Sequence, residues 1–346
     1  MHILYRITNN QALCQTRTID KAKGAKKDEF YTQLEDINNE LRHYREYFRG
    51  KTVLCNCDDP RVSNFFTYFA YNFEFLGLKK LITTCYKNQD MDLFSMNKSE
   101  QAVYLVYEGD KNGNHIPDAE EIGVKPLKGD GDFRSKECIE LLKEADIVVT
   151  NPPFSLFREY VAQLMKYDKK FLIIGNVNAL SYKEIFPLVK DNRVWLGASI
   201  HSGDRKFWVP DTYELNAAGC GIDDDGKKFI KVKGVRWFTN LDYKERHDDI
   251  PLYKSYSPEE YPTYDNYDAI NVGKTAEIPL DYDGVMGVPI TFIDKYNPDQ
   301  FEILGMSASA GYNADIVGIP FKGDKDARPL VNGKNTYARI FIKKRK

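Results

Sequence analysis

The sequence has few of the features that mark secreted, zinc-binding or membrane-spanning proteins. Its 346 residues include only 6 cysteines. The one close pair, Cys55 and Cys57, does not have the Cys-x-x-Cys spacing of a zinc site. Residues Met1–Arg6 do not resemble a signal peptide, and no apolar run approaches membrane-spanning length. We therefore expect a cytoplasmic protein with free thiols and no bound metal.

A strong net charge is also absent. The 49 basic and 51 acidic residues give a formal charge of -2, so no global field attracts nucleic acid. Attraction to a polyanion must then come from local clusters. Two basic clusters lie at the ends of the sequence, in residues 21–27 and Lys343–Lys346. Residues 1–27 are interpreted either as a solvated tail or as an arm that contacts phosphates.

The most informative stretch is the turn Asn151-Pro152-Pro153-Phe154. It follows Ala145–Thr150, an apolar and β-branched run that is typical of a buried strand. It precedes Ser155–Val161, which is typical of the start of a helix. The turn is therefore predicted at the carboxyl end of a strand, where ligands bind in open α/β sheets.

The residue types in this turn suit methylation of an amino group attached to an aromatic base. The lone pair of such a nitrogen is delocalised into the ring until two acceptors hold its N–H groups. The Asn151 side-chain oxygen and the Pro152 carbonyl are the candidate acceptors, and the two prolines fix φ and remove competing donors. Phe154 offers a face on which an extruded base can stack. The alternative is a chance Pro-Pro turn between a strand and a helix.

Strands and helices are predicted to alternate in the first part of the chain, which favours an α/β fold with a doubly wound, mostly parallel sheet. The predicted strands are 51–57, 79–86, 102–107, 145–150, 171–175 and 193–197. Beyond residue 200 the chain has more turn residues and alternating strands, including 229–232, 234–238, 301–304 and 338–342. We expect a mixed, β-rich region there.

Two loops carry polar residues at informative positions. Asp132 and Phe133 are predicted at the carboxyl edge of the sheet, where an acid can accept from an adenine amino group and a phenyl ring can stack. A simple turn is the alternative. Residues 110–121 have oxygen-bearing side chains at positions one, three, five, nine and twelve of a calcium-type loop, but His115 replaces its glycine. Calcium binding and a surface hairpin are both retained.

Thr32 stands just before a predicted helix that extends to Phe48, so a simple N-cap is one interpretation of this residue. Four motifs nevertheless follow one another in a fixed order: Asp28–Thr32, Asn56–Asp58, Gly129–Phe133 and Asn151–Phe154. With these motifs the chain resembles the EcoRI-type S-adenosylmethionine-dependent DNA adenine-N6 methyltransferases. The resemblance covers residues 28–200 and extends more loosely to 287–292.

This resemblance implies a Rossmann-like class I methyltransferase fold with helices on both faces of the sheet. It implies S-adenosylmethionine as the cofactor and double-stranded DNA as the substrate. Asn151, Pro152, Pro153 and Phe154 would hold the target base. The residues that would hold the cofactor are Tyr31, Thr32, Asn56, Cys57, Asp58, Asp132, Phe133 and Asn151.

The chain departs from the family pattern at two places. The glycine-rich turn after the first strand is replaced by Asn56–Asp59, and the acid expected after the second strand is missing near Cys85-Tyr86. By the resemblance, residues 1–27 are the arm, 28–200 the methyltransferase core, and 201–346 the rest of the sheet, the DNA-recognition region and a basic tail. Candidates to approach DNA are Arg205, Lys206, Arg236 and Lys244.

The expected protein is a monomer that does not bind membranes. It acts in a restriction-modification system beside a cognate endonuclease, or as a stand-alone or phage-borne methylase. Two alternatives remain, of which the first keeps the methyl-transfer chemistry and the second loses it. The same turn can serve another amino acceptor, such as cytosine N4, an RNA adenine or a glutamine side chain. The chain can also be a DNA-binding protein whose methyltransferase core has decayed.

Overall fold

The computed structural model describes residues 30–57, 63–84, 102–114, 117–118, 121–209, 215, 219–307, 318–322 and 328–345. The chain forms two compact units. The first holds the described residues up to Val177 together with Gly197–Leu241, and the second holds Asn178–Leu196 and the described residues from Asp242 onward. The predicted arm 1–27, Asp58 and Lys346 lie outside the described residues. Among the described helices, none has the length and apolarity that crossing a membrane requires.

The helices follow from local capping signals. Ser63 and Ser135 each accept a hydrogen bond from a backbone N–H in the first turn of the helix that follows. Gly77, at φ 62°, ends another helix in the left-handed conformation. The described α-helices are α1 (Leu34–Leu41), α2 (Arg45–Phe48), α3 (Asn64–Tyr71), α4 (Phe73–Leu76), α5 (Lys136–Glu144), α6 (Phe157–Lys166) and α7 (Phe186–Lys190). Short 3-10 helices span Arg42–Tyr44, Phe154–Leu156, Val177–Ser181, Lys244–His247, Thr275–Glu277 and Ile290–Lys295.

The strands of the first unit are β1 (Thr52–Asn56), β2 (Lys80–Thr84), β3 (Val103–Tyr107), β4 (Gly123–Pro126), β5 (Ile147–Thr150), β6 (Lys170–Asn176), β8 (Asp204–Trp208), β9 (Cys220–Ile222), β10 (Lys228–Lys233) and β11 (Val235–Thr239). Those of the second unit are β7 (Trp195–Leu196), β12 (Ile270–Asn271), β13 (Met286–Pro289), β14 (Phe301–Met306), β15 (Leu330–Val331), β16 (Lys334–Asn335) and β17 (Arg339–Lys344).

The main sheet of the first unit brings β1 and β5 side by side. Its strands lie in the order β4-β3-β2-β1-β5-β6-β11. The four central strands, β2, β1, β5 and β6, are parallel. From β1 the chain proceeds outward through β2 to β4, and from β5 it proceeds outward the other way to β6. The strand order therefore reverses between β1 and β5, which is where open α/β sheets bind ligands.

The fold is mixed α/β, and the predicted parallel sheet is correct for the centre only. β3 runs antiparallel to β2, β4 runs antiparallel to β3, and β11 runs antiparallel to β6. The predicted strand at 102–107 is present as β3, but it does not extend the parallel part of the sheet. The side chains of β4 are exposed and several of β3 are half-buried. An antiparallel strand tolerates such exposure, whereas parallel strands are usually covered on both faces.

The second unit has its own sheet, in the order β12-β13-β17-β14. Tyr264 and Tyr267 come from an irregular stretch and are buried with Phe341 of β17, whose ring centroid lies 4.5 Å from that of Tyr267. Burial raises the pKa of Tyr264 to about 12. The predicted strand at 338–342 is confirmed and is longer than predicted. It includes Lys343 and Lys344, so these two lysines of the predicted basic tail belong to a strand.

The buried carboxylate of Glu40 fastens α1 to residues 198–199 of the first unit. One oxygen accepts from the Ala198 N–H at 2.7 Å and from the Tyr44 hydroxyl at 2.9 Å. The other accepts from the Ser199 N–H at 2.8 Å. Glu40→Gln places an amide N–H₂ group against one of these donors, so we expect about 1.5 kcal/mol less stability in urea unfolding. Glu35→Gln, on an exposed position of the same helix, is the control and should change little.

His247 of the second unit lies between two carboxylates, and this predicts a pH-dependent stability. Its ring nitrogens contact Asp299 and Asp242, the latter at 2.9 Å, and these bonds raise the pKa of His247 above its usual value. The stabilisation is complete below the pKa of an unfolded histidine and is lost as pH rises through the raised pKa. Between about pH 6 and pH 9, the melting temperature of the native chain should fall more than that of His247→Gln. Parallel curves would contradict this.

Candidate active site

The carboxyl ends of β1 and β5 are joined by buried hydrogen bonds. The Thr150 hydroxyl donates to the Asn56 carbonyl, and the Tyr160 hydroxyl of α6 donates to the Asn56 side-chain oxygen. Burial raises the pKa of Tyr160 well above its usual value, so this group stays protonated and can act as a donor. The end of β1 is thereby fixed beside the residue that precedes Asn151.

Asn151 is held in one orientation by a residue far away in the sequence. Its side chain is 7% exposed, and its Nδ2 donates to the Phe30 carbonyl at 2.6 Å. This bond turns the Asn151 Oδ1 away from Phe30. The Pro153 carbonyl accepts from the Leu156 N–H at 2.9 Å. Among the described residues, no N–H or O–H group donates to Asn151 Oδ1 or to the Pro152 carbonyl. The turn therefore offers two neighbouring acceptors.

Phe154 begins the 3-10 helix that follows the turn, and its ring is half-buried. The Phe30 ring meets it edge-on, with centroids 6.1 Å apart, and the Phe207 ring of β8 lies 5.9 Å from Phe30 on centroids. One phenyl ring thus separates Phe154 from β8. These ring contacts hold Phe154 in place beside the turn.

Phe30 contacts the turn, and Tyr31 and Thr32, which follow Phe30 in the sequence, therefore lie next to the turn as well. The Tyr31 backbone exchanges hydrogen bonds with Trp208 at 3.2 and 3.1 Å, and the Thr32 carbonyl accepts from Asn64 at 2.6 Å. Thr32 is 2% exposed, and its hydroxyl has no partner among the described residues. The interpretation of Thr32 as an N-cap is wrong, because Gln33 holds that position before α1. A buried hydroxyl without a partner is costly unless a ligand completes it.

Cys57 carries the turn after β1 in a conformation that usually belongs to glycine. Its φ is 84°, and its N–H donates to the Thr84 carbonyl of β2 at 3.0 Å. A cysteine with positive φ thus stands in the turn where the resemblance led us to expect glycines. Strained residues of this kind concentrate at functional sites. Asp58, the next predicted site residue, lies outside the described residues.

Asp132 and Phe133 also reach this part of the sheet. Phe133 is buried, its ring lies edge-on to Tyr160 with centroids 5.0 Å apart, and its carbonyl accepts from Gln163. The Asp132 carboxylate binds the Arg134 guanidinium in a two-pronged ion pair at 2.9 and 2.7 Å. An adenine amino group bound there would share this carboxylate with Arg134.

The residues predicted to approach DNA lie in different environments. Arg236 is 5% exposed and donates to the Val235 and His201 carbonyls, so the prediction that it approaches DNA is corrected. The two carbonyl oxygens accept hydrogen bonds from the buried guanidinium and replace part of its hydration. Lys244 lies exposed in the second unit, while Arg205 and Lys206 lie in β8.

In the described residues of the loop at 110–121, several side-chain oxygens accept hydrogen bonds from the loop's own backbone N–H groups. Glu121 accepts from the Lys111 and Asn112 N–H groups, and Asp110 accepts from the Gly113 N–H. In the part of the chain that the structure describes, no group of three or more histidine, cysteine, aspartate or glutamate residues is arranged to hold a metal ion. The internal hydrogen bonds of Glu121 and Asp110 favour the surface-hairpin interpretation of the loop.

Three residues that support the site have no signal of their own in the sequence. They are Phe30, Tyr160 and Asn64, which contact Asn151, Asn56 and Thr32 respectively. Phe30 lies inside the motif Asp28–Thr32, but nothing in that motif predicts that its carbonyl accepts from Asn151. Tyr160 and Asn64 are ordinary helix residues, whose function depends on contacts with distant segments.

Comparison with known proteins assigns a family to this arrangement. The family model described as adenine-specific methyltransferase EcoRI matches residues 18–345. The Type II methyltransferase M.EcoRI of Escherichia coli is 52% identical over 333 residues, which are 95% of this chain and 97% of that protein. No solved structure matches the chain significantly.

Two mycoplasma proteins are also similar over nearly their full lengths. The Type II methyltransferase M.MgeORF184P of Mycoplasma genitalium is 39% identical over 333 residues, covering 94% of this chain and 98% of that protein. M.MpnI of Mycoplasma pneumoniae, also a Type II methyltransferase by name, is 39% identical over 336 residues with the same coverage. The family expected from the four motifs is confirmed, and this chain belongs to the EcoRI family of adenine-specific methyltransferases.

Proposed function

We propose that this adenine-specific methyltransferase modifies N6 of an adenine flipped out of double-stranded DNA, and that Asn151–Phe154 form its catalytic turn. One observation carries the proposal. The bond from Asn151 Nδ2 to the Phe30 carbonyl leaves Asn151 Oδ1 and the Pro152 carbonyl as two neighbouring acceptors at the point where the strand order reverses. A planar base with an amino group fits two acceptors followed by an aromatic ring.

The two acceptors act on the hydrogens of the amino group. When Asn151 Oδ1 and the Pro152 carbonyl accept its two N–H groups, the nitrogen becomes tetrahedral and its lone pair is no longer delocalised into the ring. These bonds strengthen as positive charge develops on the nitrogen, which is the condition for catalysis by electrostatic stabilisation. The proton leaves after the nitrogen has become cationic, so the turn needs no strong base. Phe154 stacks on the ring and keeps it in place.

S-adenosylmethionine is the methyl donor of this family, and the site residues fit it. When bound, it supplies an electrophilic methyl group. We propose that the unpartnered Thr32 hydroxyl and Tyr31 hold its polar amino-acid end, together with Asn56, Cys57 and Asp58. Phe133 and Asp132 hold its adenine, the first through its ring and the second by accepting from the amino group. The buried Thr32 hydroxyl supports this assignment because it has no hydrogen-bond partner in the described part of the chain.

Several broader features belong to the same proposal. We propose a Rossmann-like class I sheet with helices on both faces, an arm in residues 1–27, a core in 28–200 and DNA recognition in 201–346. We also propose a monomer that works in the cytoplasm, in a restriction-modification system with a cognate endonuclease. Three relatives named Type II methyltransferases support that setting.

The direct test is to incubate the protein with labelled S-adenosylmethionine and mixed-sequence duplex DNA, with RNA in a parallel reaction. Digestion to nucleosides and mass spectrometry then locate the label. The proposal expects N6-methyladenine from DNA. Label only on RNA adenine, on cytosine N4 or on protein would contradict it. Calorimetry with S-adenosylmethionine separates a decayed core, which gives no binding heat, from an active one.

A further inference from the structure

The three-stranded sheet β8-β10-β9 of the first unit has two chemically different faces. β8 and β10 are antiparallel, and their register places Trp208 opposite Phe229, Lys206 opposite Lys231 and Asp204 opposite Lys233. Because side chains alternate along a strand, these six residues share one face, which we call the lysine face. Phe207 and Ile230 point the other way and are buried.

Two lysine ammonium groups at this face lie against aromatic rings. The Lys206 ammonium lies 4.0 Å from the Trp208 ring centre and 4.5 Å from the Phe229 ring centre. The ammonium of Lys227, from the preceding turn, lies 5.4 Å from the Trp208 ring. Such contacts orient a cation and remove part of its hydration. The face therefore presents an ordered ammonium group.

The positive charge is concentrated at one end of this face. Lys231 and Lys233 are exposed at the end of β10, across from Lys206 and Asp204. The acidic residues Asp223–Asp225 occupy the opposite end, in the turn between β9 and β10. Asp223 lies 3.7 Å from the Lys206 ammonium, a long and partly exposed contact of small energy. The Lys206 ammonium therefore lies between the two ends, and at the basic end the exposed Lys231 and Lys233 outnumber Asp204, which suits a polyanion.

The buried side of the same sheet supports the catalytic turn. Phe207 packs on Phe30, which packs on Phe154, and Phe30 also anchors Asn151. Trp208 is tied by backbone hydrogen bonds to Tyr31. The lysine face is thus the outer surface of the layer that lines the site. DNA that delivers a base to Phe154 extends beyond the site on both sides.

We infer that the lysine face binds the phosphate backbone of duplex DNA beside the flipped adenine, with Lys206, Lys231 and Lys233 as the phosphate-binding residues. Trp208 and Phe229 position the Lys206 ammonium. This inference rests on the proposed function and names a surface through which the substrate is held. Its contribution is independent of base sequence, because lysine contacts to phosphate position DNA without reading it.

The test removes two exposed charges and measures salt dependence. The double variant Lys231→Ala, Lys233→Ala is compared with Lys51→Ala, Lys79→Ala, which removes two exposed lysines at the amino ends of β1 and β2, the opposite edge of the sheet. Duplex DNA affinity is measured by fluorescence anisotropy over a range of sodium chloride concentrations. Melting temperature and S-adenosylmethionine affinity verify that both variants are folded.

Two lost phosphate contacts should weaken DNA binding by about tenfold or more at about 0.1 M salt and reduce the slope of log K against log salt by about 1.8. The control should keep the native slope. Equal slopes and affinities in the two double variants would overturn the inference, provided that the native protein still methylates DNA. A native protein that neither binds nor methylates DNA would instead overturn the proposed function.

Discussion

Asn151→Ala is expected to lower kcat by about a hundredfold or more, while the affinity for duplex DNA stays nearly unchanged. The substitution removes one of two acceptors that hold the amino hydrogens. Those bonds are strongest when charge develops on the nitrogen, so their loss affects the transition state more than the bound substrate. Single-turnover methylation and a DNA titration with the same variant separate the two quantities.

A second variant at the same position tests the hydrogen bond from Asn151 to the Phe30 carbonyl. In Asn151→Asp an acceptor oxygen remains, but the donor to the Phe30 carbonyl is lost and a carboxylate faces a carbonyl oxygen. Both substitutions should lower kcat, since position 151 needs an oriented amide and not merely an oxygen. A pattern in which Asn151→Ala changes only DNA affinity would contradict the role assigned to the turn.

The second large effect concerns the cofactor. Asp132→Ala is expected to weaken S-adenosylmethionine binding by about 1–3 kcal/mol, the usual loss for a hydrogen bond to a charged group, with little change in kcat at saturation. The carboxylate is oriented by its ion pair with Arg134, so its removal deletes an acceptor already fixed in place. Isothermal titration calorimetry measures the affinity directly.

Glu159→Ala separates the acceptor role of Asp132 from the ion pair itself. Glu159 binds the other side of the Arg134 guanidinium at 2.9 Å and lies exposed on α6. Its removal loosens Arg134 but leaves the Asp132 carboxylate present, so cofactor affinity should fall little. Equal losses in the two variants would mean that Arg134 positioning, and not acceptance by Asp132, determines the affinity.

The elements with local signals were predictable from the sequence. β1 and β5 are apolar, β-branched runs buried along their whole length, and the turn after β5 is specified by its two prolines. The predicted strand and helix around Asn151 are confirmed. Their common edge follows because parallel strands end on the same side of a sheet.

The rest depends on contacts between distant segments. The bond from Asn151 to Phe30 spans 121 residues, and that from Tyr160 to Asn56 spans 104. No local pattern encodes either pair. The left-handed φ of Cys57 was hidden because cysteine seldom adopts it. The burial of Arg236 was not predictable because its charge suggests a surface position, whereas its guanidinium donates to backbone carbonyls in a buried strand.

The central claim is that the turn accepts hydrogen bonds from both hydrogens of an amino group. A methylation reaction run for a prolonged time tests this claim most directly. Once N6 carries one methyl group, only one N–H remains, and the two acceptors cannot both be satisfied. Mass spectrometry of DNA nucleosides after prolonged incubation should show N6-methyladenine and no N6,N6-dimethyladenine. Accumulation of the dimethylated base at a rate near that of the first methylation would contradict the account.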